Sequence, residues 1–139
     1  MANVWMSVTI NAPADEVWNT ISNFNALGKY LPLITESTME GSGVGALRTL
    51  TLQDGGRVIE RLESIDENAR TLSYRILISP LPVDGYVSTM KVKDLGNNRC
   101  EVEWSSTFKP KGTTEADVKN LIEGIYSTGF GGLKKLHGG

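Results

Sequence analysis

Two charged residues share otherwise apolar strand faces in the middle of the chain. Alternation over residues 57–65 places Glu60 on the face with fewer charges, together with Leu62. Arg48 lies on the apolar face of the preceding predicted strand. A carboxylate in an apolar interior is costly unless it is paired, hydrogen-bonded or protonated. Glu60 is therefore the best candidate for a functional polar group and Arg48 is its candidate partner; the alternative is that both charges face solvent.

Aromatic and small polar residues occupy the inward positions of the later strands. Alternation groups Tyr74 with Ile76, Tyr86 with Ser88 and Met90, and places Trp104 inward on the last strand. Inward aromatic residues also suit a packed core, which is the commoner role of Trp104 in particular. The candidate ligand-binding residues on the sheet are Arg48, Glu60, Leu62, Tyr74, Ile76, Tyr86, Ser88, Met90 and Trp104.

Other types of reactive site lack the residues they need. His137 is the only histidine and lies two residues from the C-terminus, where we expect the chain to fray. His137 and the single Cys100 supply too few ligands for a zinc site of the usual kinds. Residues 41–45 are glycine-rich, but a strand follows them instead of the helix that a phosphate loop requires. We therefore predict no metal, no cofactor and no identifiable catalytic constellation.

The elements that must position the candidate residues are mainly strands. Residues 4–10 alternate cleanly, Pro13 opens a helix, and residues 25–32 predict a second short helix. Six further strands follow from the period of two over residues 34–40, 45–52, 57–65, 70–78, 85–95 and 99–108. Short turns rich in Gly, Asn, Asp and Pro separate them, which favours sequential antiparallel hairpins.

A long amphipathic helix ends the chain. It starts at Thr114, with Asp117 three residues on as a variant capping box, and runs for about 23 residues. Its apolar stripe includes Leu121 and Ile125, which we predict to face the sheet. The fold class is therefore α+β, with a seven-stranded antiparallel sheet curved around this helix and two short helices between strands 1 and 2. A gap between sheet and helix would be a cavity.

Composition limits the function classes. The 139 residues predict one domain spanning 1–139, and 40% apolar content is ordinary for a globular protein. The net charge of −2, without clustered Lys or Arg, argues against nucleic acid. A lone cysteine suggests a reducing compartment, and we expect neither a membrane span nor a secretory signal, so the expected location is the cytoplasm. The oligomeric state is not indicated.

Several segments together resemble a known family. The opening VTINAPADEVWNTISNFNALGKYLP, the pair VIERLESID and RTLSYRIL, the segment PLPVDGYVSTMKV, and EVEWSSTFKP before a long helix are similar to the START/Bet v (SRPBCC) superfamily with the helix-grip fold. The bacterial polyketide cyclase/dehydrase and lipid-transport group is the most similar branch, with a distant likeness to plant abscisic-acid receptors. The resemblance implies a deep cavity for hydrophobic ligands. It places the receptors' pocket positions on Glu60, Tyr74, Ile76, Tyr86, Ser88, Leu121 and Ile125.

The chain departs from the abscisic-acid receptors at two implied pocket positions. Thr35 stands where the receptors bind the hormone carboxylate with lysine, and Gly129 stands at their helix asparagine. Recognition of that acid is therefore not expected. A gapless register also puts a second pocket glutamate on Glu103, whereas alternation turns Glu103 outward, and only a β-bulge would reconcile the two.

Three functional hypotheses follow. The leading one is binding or transport of a small, largely apolar molecule, because the inward set is mostly apolar with a few polar anchors. The second is an enzyme of the polyketide cyclase/dehydratase type that uses Glu60 as acid or base. The third is a co-chaperone-like protein-interaction module, which would need a filled core and an exposed apolar patch.

Overall fold

The computed structural model describes all residues, 1–139, as seven strands and three helical segments. The strands are β1 (Ala2–Ile10), β2 (Ile34–Glu40), β3 (Leu47–Leu52), β4 (Arg57–Asp66), β5 (Thr71–Ile78), β6 (Val83–Gly96) and β7 (Arg99–Pro110). Helix α1 (Ala14–Ser22) and a 3₁₀ helix (Phe24–Lys29) connect β1 to β2, and helix α2 (Glu115–His137) ends the chain. The predicted order of elements is confirmed.

The strands form one antiparallel sheet in the order β1-β7-β6-β5-β4-β3-β2. Strands β2 to β7 pair with their neighbours in the chain, as the short turns predicted, and β1 closes the order by pairing with β7. The sheet curves around α2, so that its inward face forms the core together with the helices. This is the α+β helix-grip architecture expected from the sequence.

Alternation along β7 continues without a bulge at the position where the family register and the pleat disagreed. Trp104 pairs with Met90 and points inward, while Glu103 pairs with Lys91 on the outer face. The Glu103 carboxylate lies 3.0 Å from the Nζ of Lys93. Glu103 therefore faces away from the interior, as alternation predicted.

Capping groups define both ends of α2. Thr114 precedes the helix, and its hydroxyl accepts a hydrogen bond of 3.1 Å from the backbone N–H of Asp117. Gly138 ends the helix in the left-handed conformation, and its N–H donates to the carbonyl of Lys134. The helix contains no stretch long and apolar enough to cross a membrane, and neither does any other helix of the chain.

The C-terminal turn of α2 is held in place, which corrects the expectation that His137 frays. The Nε2 atom of His137 lies 2.9 Å from the hydroxyl of Thr20 on α1. The side chain of His137 is largely buried, and its Nδ1 lies 3.9 Å from the carboxylate of Glu16. The chain terminus is ordered here because α1 supplies hydrogen-bonding partners that the local sequence does not reveal.

Candidate functional site

A cavity lies between the inward face of the sheet and α2. It is lined by 16 residues, of which 15 are hydrophobic and one is Glu60. Strands β2 to β7 supply one wall, the segment that includes the 3₁₀ helix supplies another, and α2 closes it. The lining residues are Leu27, Leu31, Leu33, Ile34, Leu50, Leu52, Val58, Glu60, Tyr74, Ile76, Leu81, Tyr86, Trp104, Ile122, Ile125 and Tyr126.

The polar centre of this cavity is a buried ion pair between neighbouring strands. Arg48 and Glu60 are direct cross-strand partners in β3 and β4, and both side chains point inward. Arg48 Nε donates a hydrogen bond of 2.7 Å to Glu60 Oε1, and its Nη2 lies 2.6 Å from the same oxygen. The charges are almost wholly shielded from water, with 4% and 7% of the two side chains exposed. The predicted pairing is thus present in the structure.

Two of the three guanidinium nitrogens of Arg48 make hydrogen bonds, and the buried Nη2 makes none. Its Nη1 donates to the carbonyl oxygen of Phe24 at 2.8 Å. Its carbon lies 3.9 Å from the centre of the Phe24 ring and 4.7 Å from that of Tyr74, so both rings stabilise the cation. Arg48 does not line the cavity itself.

Burial and the arginine act on Glu60 in opposite directions. Loss of water raises the pKa of the Glu60 carboxyl above its ordinary value, and the neighbouring Arg48 charge opposes that rise. Only Oε1 is engaged by Arg48, and no protein group donates a hydrogen bond to Oε2. Glu60 therefore presents an acceptor oxygen that a bound molecule could use.

The opposite wall is a hydrogen-bonded aromatic cluster. The hydroxyl groups of Tyr86 and Tyr126 are in direct contact, and Tyr126 also lies 3.2 Å from Ser88 Oγ. The indole N–H of Trp104 reaches both Ser88 Oγ at 3.0 Å and the Tyr74 hydroxyl at 3.2 Å. The rings of Trp104 and Tyr126 stack with their centres 4.3 Å apart. This cluster fills much of the space between sheet and helix, and Tyr74, Tyr86, Trp104 and Tyr126 line the cavity that remains.

The structure brings six of the eleven predicted binding residues to the cavity. They are Glu60, Tyr74, Ile76, Tyr86, Trp104 and Ile125. Leu62, Ser88 and Met90 are buried on the inward face but do not line it. Tyr126 and Trp104 contact Ser88, and the hydroxyl of Tyr30 lies 3.9 Å from the sulfur of Met90. Ser88 thus lies behind Tyr126 and Trp104, which do line the cavity.

The prediction that Leu121 faces the sheet is wrong. Leu121 is 41% exposed and does not line the cavity, because the buried face of α2 follows Val118, Ile122 and Tyr126. At 3.6 residues per turn, Leu121 lies about a third of a turn from the centre of that face. The sequence prediction followed aliphatic residues only and so missed Tyr126. The spacing of four from Val118 to Phe130 was the available signal.

The enclosed space is small. The cavity volume is about 60 Å³, which is room for roughly two water molecules at about 30 Å³ each. Ligand pockets for drug-sized molecules range from about 300 to 1,000 Å³. The half-buried side chains Leu33, Ile76, Leu81 and Ile125 border solvent at the cavity. A molecule of more than a few atoms needs these side chains to move apart.

Comparison with known proteins identifies the family. A profile described as polyketide cyclase/dehydrase and lipid transport matches residues 1–138. Among characterised proteins, the abscisic acid receptor PYL2 of Arabidopsis thaliana is 28% identical over 127 residues, which covers 84% of this chain and 67% of the receptor.

Solved structures give the same result at the level of the fold. The protein XoxI of Bacillus cereus superposes with a TM-score of 0.92 at 37% identity, covering 99% of this chain and 96% of that one. The Zhui aromatase/cyclase of a Streptomyces species superposes with a TM-score of 0.76 at 17% identity, covering 96% and 88% of the two chains. Because the profile spans nearly the whole chain, this protein belongs to the polyketide cyclase/dehydrase and lipid-transport family.

Proposed function

We propose that this protein binds or carries a small, largely apolar molecule in the cavity between its sheet and α2. The observation that carries the proposal is an interior space lined by 15 hydrophobic residues and a single carboxylate. Pockets of this composition suit an apolar molecule that is oriented by one or two polar groups. The family description includes lipid transport, and the receptors similar to this chain are named for a small organic hormone.

Mass spectrometry under native conditions tests the proposal on protein purified from its own host. We expect a co-purifying small molecule on the wild-type chain. Ile125→Phe, which enlarges a half-buried lining residue, should reduce the occupied fraction by occupying the cavity entrance. Leu121→Phe is the matched control, because it adds the same ring one turn earlier at an exposed position outside the cavity.

Two outcomes would count against binding in this cavity. One is a wild-type protein that carries no guest and takes up no hydrophobic dye. The other is an occupied fraction that Ile125→Phe and Leu121→Phe change equally, since the guest would then lie elsewhere on the molecule.

A second candidate function is acid–base catalysis by Glu60. It is favoured by one observation, the carboxyl whose pKa burial raises and whose Oε2 has no protein donor. A carboxyl with a pKa nearer neutrality is a more effective general acid or base. Turnover of a polyketide-like carbonyl substrate should then be lost in Glu60→Gln and kept in Glu63→Gln. A turnover rate that Glu60→Gln leaves unchanged would exclude this role.

A further inference from the structure

The charges around the cavity restrict the kind of polar group that a ligand can carry there. No lysine, arginine or histidine is among the lining residues. The nearest cation is Arg48, which does not line the cavity. Its Nε donates to Glu60 Oε1 and its Nη1 to the Phe24 carbonyl oxygen, while its Nη2 has no hydrogen-bond partner and is buried 2.6 Å from the same Glu60 oxygen. An anionic ligand would therefore meet the Glu60 carboxylate and no cation at the cavity wall.

The polar atoms that remain suit a hydroxyl group. No protein group donates a hydrogen bond to Glu60 Oε2, so this oxygen can accept one from a ligand. The Tyr74 hydroxyl accepts from the Trp104 indole N–H and also interacts with Ser88. The hydroxyls of Tyr86 and Tyr126 are paired with each other, and Ser88 donates to the Ser105 carbonyl. The cavity thus offers one free acceptor, Glu60 Oε2.

We propose that the ligand's polar end is an uncharged hydroxyl or phenol group that donates to Glu60, and that the Arg48–Glu60 pair excludes carboxylate ligands. This inference rests on the proposed binding function. The arginine neutralises Glu60 without being available to the ligand, so that the carboxylate acts as an acceptor at moderate electrostatic cost. A ligand carboxylate would bring a second negative charge to Oε2 in a site shielded from water.

Three one-ring probes separate the effects of charge and of hydrogen donation. Phenol donates a hydrogen bond, anisole has an ether oxygen in place of the hydroxyl, and benzoate is charged at neutral pH. In calorimetric titrations of the wild-type protein we expect phenol to bind at least tenfold more tightly than benzoate and severalfold more tightly than anisole. These comparisons need no variant, so they hold even if a substituted protein fails to fold.

Two isosteric variants then show whether the buried Glu60 sets the selectivity for phenol over benzoate. Glu60→Gln removes the negative charge and leaves Arg48 unpaired, so the affinity for benzoate should rise. The ratio of phenol affinity to benzoate affinity should therefore fall at least tenfold below the wild-type value. Glu63→Gln is the matched control. Glu63 lies on the outer face of the same strand, where its carboxylate lies 3.0 Å from nitrogens of both Arg61 and Arg75. This control should leave the ratio of phenol to benzoate affinity at the wild-type value.

The possible failures are distinguishable. Equal binding of phenol, anisole and benzoate to the wild-type protein would overturn the hydroxyl inference and leave the cavity as a binding site. A ratio that changes equally in Glu60→Gln and Glu63→Gln would also overturn it, since total charge and not the buried pair would set the selectivity. Binding of none of the three probes would remove the proposed function and this inference together.

Discussion

Two opposite charges lie side by side in the interior of this protein, where apolar side chains of similar volume would pack. Removing one partner of such a pair commonly costs about 3–5 kcal/mol, whereas replacing both with apolar residues is often neutral or stabilising. Stability alone therefore gives little reason for Arg48 and Glu60 to be buried together. Glu60 lies at the wall of the cavity with Arg48 paired to it, and the proposed function supplies another reason, which is to present a neutralised carboxylate to a bound molecule.

The tyrosines show the same shielding from water as the ion pair. All four are buried, and burial is the main cause that raises each pKa above the ordinary value of 10.0. Tyr30 is raised to about 12, although the charge of Arg48 opposes the rise. The hydroxyls of Tyr74, Tyr86 and Tyr126 belong to the aromatic wall of the cavity, where ionisation would place a charge in an apolar environment.

An alkaline titration followed by tyrosinate absorbance tests this shielding. Because the folded-state values lie above 10.0, the native state holds its phenolic protons where the unfolded chain releases them. Stability is therefore complete below pH 10 and falls above it, by up to about 1.4 kcal/mol per pH unit for each tyrosine. We expect no tyrosine to ionise near pH 10, and absorbance to rise together with loss of circular dichroism. A fraction that ionises near pH 10 in the folded protein would show a water-exposed tyrosine.

At the residue scale the sequence predicted the cross-strand pair Arg48 and Glu60 correctly, but it did not predict the contacts between the sheet and α2. Alternation was sufficient to put Glu60 and Arg48 on the same face of adjacent strands. Successive side chains of a strand point to opposite faces of the sheet, so only the choice of the inward face is left open. The contact between Tyr86 and Tyr126 was not predictable in this way. It depends on the rotation of α2 about its axis relative to the sheet, and an error of about a third of a turn was enough to bring in Leu121 and miss Tyr126.

The position of α2 is set by two of its glycines, Gly129 and Gly132. A β-carbon on Gly132 would overlap the carbonyl oxygen of Tyr30, and one on Gly129 would lie 2.6 Å from the ring of Trp104. The helix can therefore approach both the 3₁₀ segment and the sheet only because these positions lack a side chain. Gly124 and Gly131, by contrast, have open space where a β-carbon would project.

Alanine substitutions at two glycines of the same helix should have opposite effects. Gly132→Ala forces α2 away from Tyr30 and should lower the free energy of unfolding by about 1–3 kcal/mol, as overpacking does. Gly124→Ala meets no atom and should raise it by up to about 1 kcal/mol, because alanine favours the helix. Urea unfolding monitored by circular dichroism measures both. Equal stability of the two variants would mean that α2 does not pack closely at Gly132.

At the scale of the element, hydrophobic periodicity and turn residues predicted the strands and helices well, because both depend on local backbone geometry. All seven strands and the long helix begin and end within a few residues of their predicted bounds. The order of strands β2 to β7 followed from the short turns, whereas the pairing of β1 with β7 did not. The anchoring of His137 did not follow, since Thr20 is far away in the sequence and is brought close only by the packing of α1 against α2.

The molecule as a whole is a curved sheet closed by one helix, and the proposed binding function depends on how completely that helix fills the concave face of the sheet. The aromatic cluster of Trp104, Tyr86 and Tyr126 occupies much of the interior and leaves a cavity of about 60 Å³. The sequence could predict a gap but not its size, because the volume depends on the rotamers of a few large side chains. An apolar cavity that binds benzene has a volume of about 150 Å³. Binding of a one-ring molecule therefore requires this cavity to widen.

The most direct test of the central claim is a methyl NMR titration of the wild-type protein with phenol. We expect saturable shifts at the methyl groups that line the cavity, on Leu50, Val58, Ile76, Ile122 and Ile125, with Val87 on the outer face unchanged. Ile125→Phe should abolish the saturable response. Shifts that grow without saturation, or that are as large at Val87 as at Ile122, would show that the space between sheet and helix does not receive a ligand.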